Sequence, residues 1–324
     1  MGSNKKTMVS VLDGFFVINH DMIENNGEDS FAYSINERYA IFAAFDGCGG
    51  IGARKYDTYQ NKTGAYIASH VSSEVLIEWF KQFSQNNVRL SGNSIGAISK
   101  EMQAYLTEGL KIWEDGATAS VIKGSLTKSF PTTASVILMS YEGELNTAFI
   151  WAGDSRGYVL NHTAGLSQIT TDDIEGDDDA LSNLTNDSRL SNMVNATGDY
   201  KLNHRMLKFG DKSPAVLITA TDGCFGYYST PMEFEYMLLS TMQNSSNMEA
   251  WKKNIEKEVR EYAGDDYTMC VAVKGYNNFK TLKRLFEKRY DFMYDKYISK
   301  LENISDEGKV ELWNEYKDTY YRKG

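Results

Sequence analysis

Several apolar runs of this chain stop at a carboxylate, and that pattern narrows what it can fold into. Ile41-Phe42-Ala43-Ala44-Phe45 ends at Asp46, and Ala215-Val216-Leu217-Ile218-Thr219-Ala220-Thr221 ends at Asp222. Asp265 stands just before Tyr267-Thr268-Met269-Cys270-Val271-Ala272-Val273. Short continuous apolar runs read as buried strands. An unpaired charge inside such a strand is costly, so its carboxylates belong at the ends. Glycine follows Asp46 and Asp222, and Glu28-Asp29 adds another acidic pair. Each Asp-Gly pair alone reads as a turn. The set together describes a polar cluster at one end of a sheet. Mg²⁺ and Mn²⁺ take oxygen ligands of this kind from carboxylates, carbonyls and water.

The chain has 324 residues, enough for one large domain or two ordinary ones. Its formal charge of −10 argues against nucleic acid and anionic membrane as partners, since both reward a basic surface. Three cysteines imply no disulfide framework and fit a reducing, cytoplasmic compartment. No apolar run approaches the roughly 18 residues of a membrane helix. Residues 1–7 read as a tail. The apolar stretch 8–18 is interrupted by Asp13 and Gly14, so it reads as a first strand and not as a signal peptide.

Strands are expected over 8–19 and 31–45, enclosing the loop with Glu28 and Asp29. Ile67, Val71, Val75, Trp79 and Phe83 recur every four residues and predict a helix over 63–83. A second helix is expected over 95–113. Residues 132–141, 145–151 and 158–160 are rich in β-formers, with a hairpin turn at Glu142-Gly143. Residues 163–205 read as irregular, and the acidic run 172–179 as a solvated loop. Strands at 215–221 and 267–274 flank a helix near 231–242.

Residues 275–324 contain eleven aromatics, enough to build a continuous apolar face. Phe279, Leu282, Phe286, Tyr290, Met293, Tyr297 and Leu301 share one side of a helix. Ser305 can cap a further helix, with Asp306 and Glu307 favourable in its first turn. This segment reads as a helical extension packed on the core, or else as a surface for a partner or a second copy.

Taken in order, these segments resemble the protein phosphatase 2C family of metal-dependent serine/threonine phosphatases. Asn26-Gly27-Glu28-Asp29-Ser30 is similar to its Glu/Gln-Asp segment, and Asp46-Gly47-Cys48-Gly49-Gly50 to its Asp-Gly-x-Gly-Gly segment. Gly153-Asp154-Ser155-Arg156 resembles Gly-Asp-Ser-Arg, and Thr221-Asp222-Gly223 resembles Ser-Asp-Gly. Asp265-Asp266-Tyr267-Thr268 resembles Asp-Asn-x-Thr, with supporting likeness at Thr132-Thr133-Ala134 and Thr170-Thr171-Asp172. The likeness spans 8–274, which is expected to be the catalytic domain, with 275–324 as the extension.

The resemblance implies an α+β fold, a central antiparallel β-sandwich flanked by helices in four α-β-β-α layers. It implies two Mg²⁺ or Mn²⁺ ions, with Asp46 bridging both and the Gly47 carbonyl on one. Asp222 and Asp265 would hold the other ion, Glu28 and Asp29 would act around the second, partly through water, and Asp154 would serve a weak third site. The implied activity is hydrolysis of phosphoserine and phosphothreonine in protein substrates. Two close divalent ions lower the pKa of a bridging water, whose hydroxide attacks phosphorus, and they neutralise phosphoryl charge. The alternative is a degenerate family member that only binds partners.

Several positions depart from the family pattern. Cys48 stands where many members have a general-acid His, and near cations its thiol would favour thiolate. Glu24 stands where a phosphate-contacting Arg is common, and Arg54 or Lys55 is the candidate replacement, within an insertion between Gly50 and Gly64. Gly226 replaces the usual third-site Asp, and Arg156 reads as a structural ion pair. Cys48 and Cys224 read as small fillers, or alternatively as a redox-sensitive pair.

Overall fold

The computed structural model describes residues 12–117, 130–141, 144–176, 179–184, 188–210, 213–302 and 304–321. The tail 1–7, the turn at Glu142-Gly143 and part of the acidic run lie outside the described residues. Strands in chain order are β1 (Gly14–His20), β2 (Asp29–Ile35), β3 (Tyr39–Asp46), β4 (Lys55–Tyr56), β5 (Lys62–Thr63) and β6 (Ala134–Tyr141). They continue with β7 (Leu145–Ala152), β8 (Arg156–Asn161), β9 (Gly165–Gln168), β10 (Asn203–Phe209), β11 (Ala215–Ala220) and β12 (Tyr267–Lys274). Helices are α1 (Gly49–Gly52), α2 (Gly64–Gln85), α3 (Ile95–Gly116), α4 (Ala180–Asn183), α5 (Pro231–Gln243), α6 (Met248–Tyr262), α7 (Phe279–Met293), α8 (Ser299–Leu301) and α9 (Asp306–Tyr320).

Two five-stranded sheets form the centre, in the orders β1-β12-β11-β8-β9 and β10-β7-β6-β3-β2. The pairings within both are antiparallel. The strands are apolar along their length because both faces are covered. In β3, Ala40 and Phe42 face the other sheet, in one core with Phe149 of β7 and Leu217 of β11. Their neighbours Ile41, Ala43 and Phe45 point the opposite way, into the core under α2 and α3. In β12, Cys270 and Ala272 face the partner sheet, while Met269, Val271 and Val273 face the helices on the far side. This is the expected four-layer α-β-β-α sandwich.

The helix starts follow their capping chemistry. Thr63 caps α2 by accepting the Tyr66 N–H at 3.0 Å. Thr230 and Glu233 close a capping box around α5, with Pro231 in its first turn. Ser305 accepts from Gly308 at the start of α9. Three features differ from the expectation. The run 31–45 is a hairpin, turned where the Asn36 carboxamide oxygen accepts the N–H groups of Arg38 and Tyr39. The irregular stretch 163–205 contains β9 and α4. The helix α6 is also present, with Trp251, Ile255 and Val259 buried at four-residue spacing.

The helices after residue 275 merge with the core. Leu282, Phe286, Met293, Tyr297, Leu312, Trp313, Tyr316 and Tyr320 are buried with residues of α5, α6 and the β1–β9 sheet. Arg289 makes a bidentate pair with Glu235 of α5 at 2.7 and 3.0 Å. Among the described residues, no helix is long and apolar enough to cross a membrane.

Candidate functional site

One end of the sandwich gathers the acidic residues. Asp29 opens β2 and Asp46 closes β3, and the two are register partners. Asp222 follows β11 in a 3-10 turn, and Asp265 and Asp266 precede β12. A cleft of about 440 Å³ is lined by Glu28, Asp29, Asp46, Gly47, Asp154, Asp222, Asp265 and Asp266. The residues expected to ligate metal therefore share one cavity. Arg54 is not among its lining residues; its guanidinium carbon lies 5.2 Å from the centre of the Tyr56 ring.

Backbone and hydroxyl groups fix the carboxylates. The Asp46 N–H donates to Thr133 Oγ1 at 3.1 Å, and the Asp46 carbonyl accepts from the Thr133 N–H and from Thr132 Oγ1, both at 2.7 Å. Thr221 Oγ1 donates to Asp29 Oδ2 at 2.7 Å. The Thr63 hydroxyl that caps α2 also donates to Glu28 Oε1. Asp266 holds the loop before β2: its two oxygens accept the N–H groups of Met22 and Glu28, each at 2.7 Å. An Asn at this position, as in the family motif, would offer one acceptor oxygen in place of these two.

Gly47 sits where no side chain fits. A Cβ there would lie 2.5 Å from the Ala65 carbonyl oxygen and 2.8 Å from that of Glu28. A Cβ on Gly49 would stand 2.6 Å from Glu28 Oε2. The two glycines let the chain pass between β3 and α2 and bring backbone close to the acids.

Crowding raises the affinity of these acids for protons. Burial pushes Asp46 well above the usual carboxylate range, and Asp222, Asp29, Asp154 and Asp265 push it the same way. Asp29 is also well raised by burial, partly offset by the Thr221 hydroxyl. Asp222 is raised by burial and by Asp265, and a hydrogen bond with Asp46 acts against this. Asp154 is pushed up to about 8 by burial, with Asp222 and Asp172 adding to it. Burial and then Asp46 raise the Cys48 thiol, so without bound cations it stays protonated rather than becoming a thiolate.

The remaining candidates have structural settings. Arg156 pairs with Asp172 at 2.6 Å, both buried, and its guanidinium carbon lies 4.4 Å from the centre of the Phe225 ring. Cys224 is buried in the core beneath the helices and its Sγ donates to the Thr268 carbonyl at 3.3 Å, whereas Cys48 lines the cleft. His20 ends β1, against the Tyr267 ring. Sequence reasoning missed Thr63, Thr221 and Arg189. The first two are recognisable only once distant strands are paired. Arg189, which also lines the cleft, lies in a stretch with no periodic signal.

No family model matches the sequence, and no curated protein matches it. Solved structures do. The serine/threonine phosphatase Stp1 from Staphylococcus aureus matches with a TM-score of 0.58 and 14% identity, over 81% of this chain and 94% of that one. The catalytic domain of the serine/threonine protein phosphatase PstP, in complex with 2 manganese ions, matches with a TM-score of 0.51 and 18% identity, over 81% and 98%. A C. elegans sex determining protein matches with a TM-score of 0.59 and 15% identity, over 84% of this chain and 67% of that one. The chain therefore adopts the protein phosphatase 2C fold, the architecture of the bacterial serine/threonine phosphatases.

Proposed function

We propose that this chain is a Mg²⁺- or Mn²⁺-dependent hydrolase of phosphoserine and phosphothreonine in proteins. The observation that carries this reading is the convergence of Asp29, Asp46, Asp222 and Asp265 on one cleft of a phosphatase fold. Among the described residues, no group of three or more His, Cys, Asp or Glu side chains is already arranged to hold a metal ion. The donor chemistry nevertheless fits divalent cations. Mutually repelling carboxylates with raised proton affinity, beside a glycine backbone with no room for a side chain, need positive charge. Asp46, Gly47, Asp222 and Asp265 would hold two ions, Glu28 and Asp29 would complete the second, and Asp154 would serve a weaker third.

When bound, the ions supply positive charge that activates water and offsets phosphoryl charge. The protein's own groups supply position. Thr133 and Thr132 hold the end of β3, Thr221 holds the Asp29 carboxylate, and Asp266 fixes the loop that presents Glu28. Water would attack phosphorus, and the bond to the serine or threonine oxygen would break. That oxygen would leave as the alcohol carrying a proton from the attacking water, and inorganic phosphate would be released with no covalent phosphoenzyme. Residues 8–274 are read as the catalytic domain and 275–324 as its helical extension, in a cytoplasmic protein. The burial of Phe286, Tyr297, Trp313, Tyr316 and Tyr320 in one core with residues of α5 supports a packing role over a docking one.

A second reading, a binding module that has lost catalysis, draws on Cys48, Glu24 and Gly226. Hydrolysis of p-nitrophenyl phosphate and of a phosphothreonyl peptide decides between them. Turnover that requires Mn²⁺, stops in EDTA and is lost in Asp222→Asn supports the hydrolase. Absent turnover in saturating Mn²⁺ supports the binding module.

A further inference from the structure

The proposed ligand set leaves one charged residue of the cleft unused. Among the described residues that line it, Arg189 is the only cation. Its side chain is exposed while its backbone is tied down. The Arg189 carbonyl accepts the Glu175 N–H at 2.8 Å, and Ile174 and Leu190 form an antiparallel bridge. The Ser191 N–H donates to the Asp173 carbonyl at 2.8 Å. The Asp173 carboxylate is itself pinned by the Gly153 N–H at 3.1 Å, by Asn192 at 2.7 Å and by Asn203 at 2.9 and 3.0 Å. Gly153 adjoins Asp154, so the segment presenting Arg189 is tied to the acidic floor of the cleft.

A guanidinium at the mouth of an acidic cleft can neutralise the acids or bind an incoming anion. Divalent ions serve the first purpose with more charge per site. The second purpose has no other occupant inside the cleft. Glu24, where the family pattern carries Arg, is exposed and absent from the lining. Lys55 and Lys62 line a neighbouring groove with Glu28, Asp265 and Asp266, and the Lys62 ammonium is engaged by Asn26 Oδ1 at 2.9 Å and the Asn25 carbonyl. A guanidinium binds two phosphate oxygens at once, which an ammonium cannot match.

We propose that Arg189 binds the non-bridging oxygens of the phosphomonoester over this cleft, in place of the arginine missing at position 24. The proposal rests on the hydrolase reading. Its test separates the two by pairing turnover with an equilibrium measurement. The Kd of inorganic phosphate for the full-length, Mn²⁺-loaded protein is measured by calorimetry for wild type, Arg189→Ala, Arg189→Lys and Lys55→Ala, beside kcat/KM for p-nitrophenyl phosphate.

Arg189→Ala is expected to weaken phosphate binding by ~10–100-fold, the scale of a charged hydrogen-bond pair. Arg189→Lys should fall between, Lys55→Ala should match wild type, and Mn²⁺ affinity should hold in all. Wild-type phosphate affinity in Arg189→Ala, or a loss that follows Lys55→Ala instead, overturns the proposal. So does weakened Mn²⁺ binding with phosphate affinity intact, which would make Arg189 a neutraliser. A wild type without turnover whose phosphate binding still depends on Arg189 sinks only the hydrolase reading. A wild type with neither turnover nor phosphate binding sinks both.

Discussion

Asp29 and Asp46 are direct partners in the antiparallel register of β2 and β3, and the Thr221 hydroxyl reaches across from the other sheet to hold Asp29. Side chains at paired positions leave the same face of a sheet with Cβ atoms ~4.5–5.5 Å apart. Two carboxylates so placed repel each other unless a proton or a cation intervenes. The arrangement lowers stability in the empty protein and supplies a charge pocket in the loaded one.

Asp46→Asn separates these effects. The amide keeps the shape and removes one charge. Mn²⁺-dependent turnover should fall at least ~100-fold, the scale of losing one preorganised electrostatic group. The melting temperature in EDTA should rise, since Asp29, Asp222 and Asp265 lose a like-charged neighbour. Turnover assays and thermal unfolding on the same preparation check both.

The same crowding sets a pH dependence. Asp154 titrates at about 8 in the folded chain, against an ordinary value of 3.8. Its elevated affinity means that the folded state binds more protons than the unfolded one between those values, so stability falls as pH rises across that window. Metal-free protein should melt progressively lower from pH 5 to pH 8. Added Mn²⁺ should raise the melting temperature more at pH 8 than at pH 5, and Asp154→Asn should flatten the slope in EDTA.

How much of this could be read from sequence depended on how local each signal was. Asp46, Asp222 and Asp265 announced themselves because each abuts a run long enough to be a buried strand. The alternation within β3 was invisible, since Phe42 and Ile41 are both buried, on opposite faces. The helix α6 was hidden by its lysines and glutamates, with Trp251, Ile255 and Val259 alone marking its inner face. The bond from Thr221 to Asp29 joins residues 192 apart, and no local pattern encodes it. The aromatic richness after residue 275 was plain, but its polar partners, the buried Glu235 on α5 and Asp179 capping α4, were not.

Those partners make α9 a brace for α4, whose Asn183 lines a neighbouring pocket with Asp154 and Asp222. Trp313 Nε1 donates to both oxygens of Asp179 at 2.8 and 3.1 Å, and Asp179 caps α4 by accepting from Leu181 and Ser182. The Tyr321 hydroxyl accepts the Ala180 N–H at 2.6 Å. Trp313→Phe keeps an aromatic ring and loses the bond to a carboxylate, so a cost of ~1.5–3 kcal/mol is expected. Amide hydrogen exchange at 180–182 should quicken while that of β3 is unchanged.

The deepest tie between the extension and the core is ionic. Glu235 is fully buried on α5, gripped by Arg289 of α7 and by the Tyr316 hydroxyl of α9. Removing one partner of such a pair strands the other charge away from water, whereas replacing both with apolar groups of similar volume is often neutral or better. Arg289→Met should therefore destabilise the protein by ~3–5 kcal/mol in urea unfolding. The double change Arg289→Met, Glu235→Leu should recover most of that loss, although Tyr316 then keeps a buried hydroxyl without its acceptor. Adding Tyr316→Phe should restore the remainder. If the triple variant were no more stable than Arg289→Met alone, the network would be holding the helices in a geometry that apolar packing cannot reproduce.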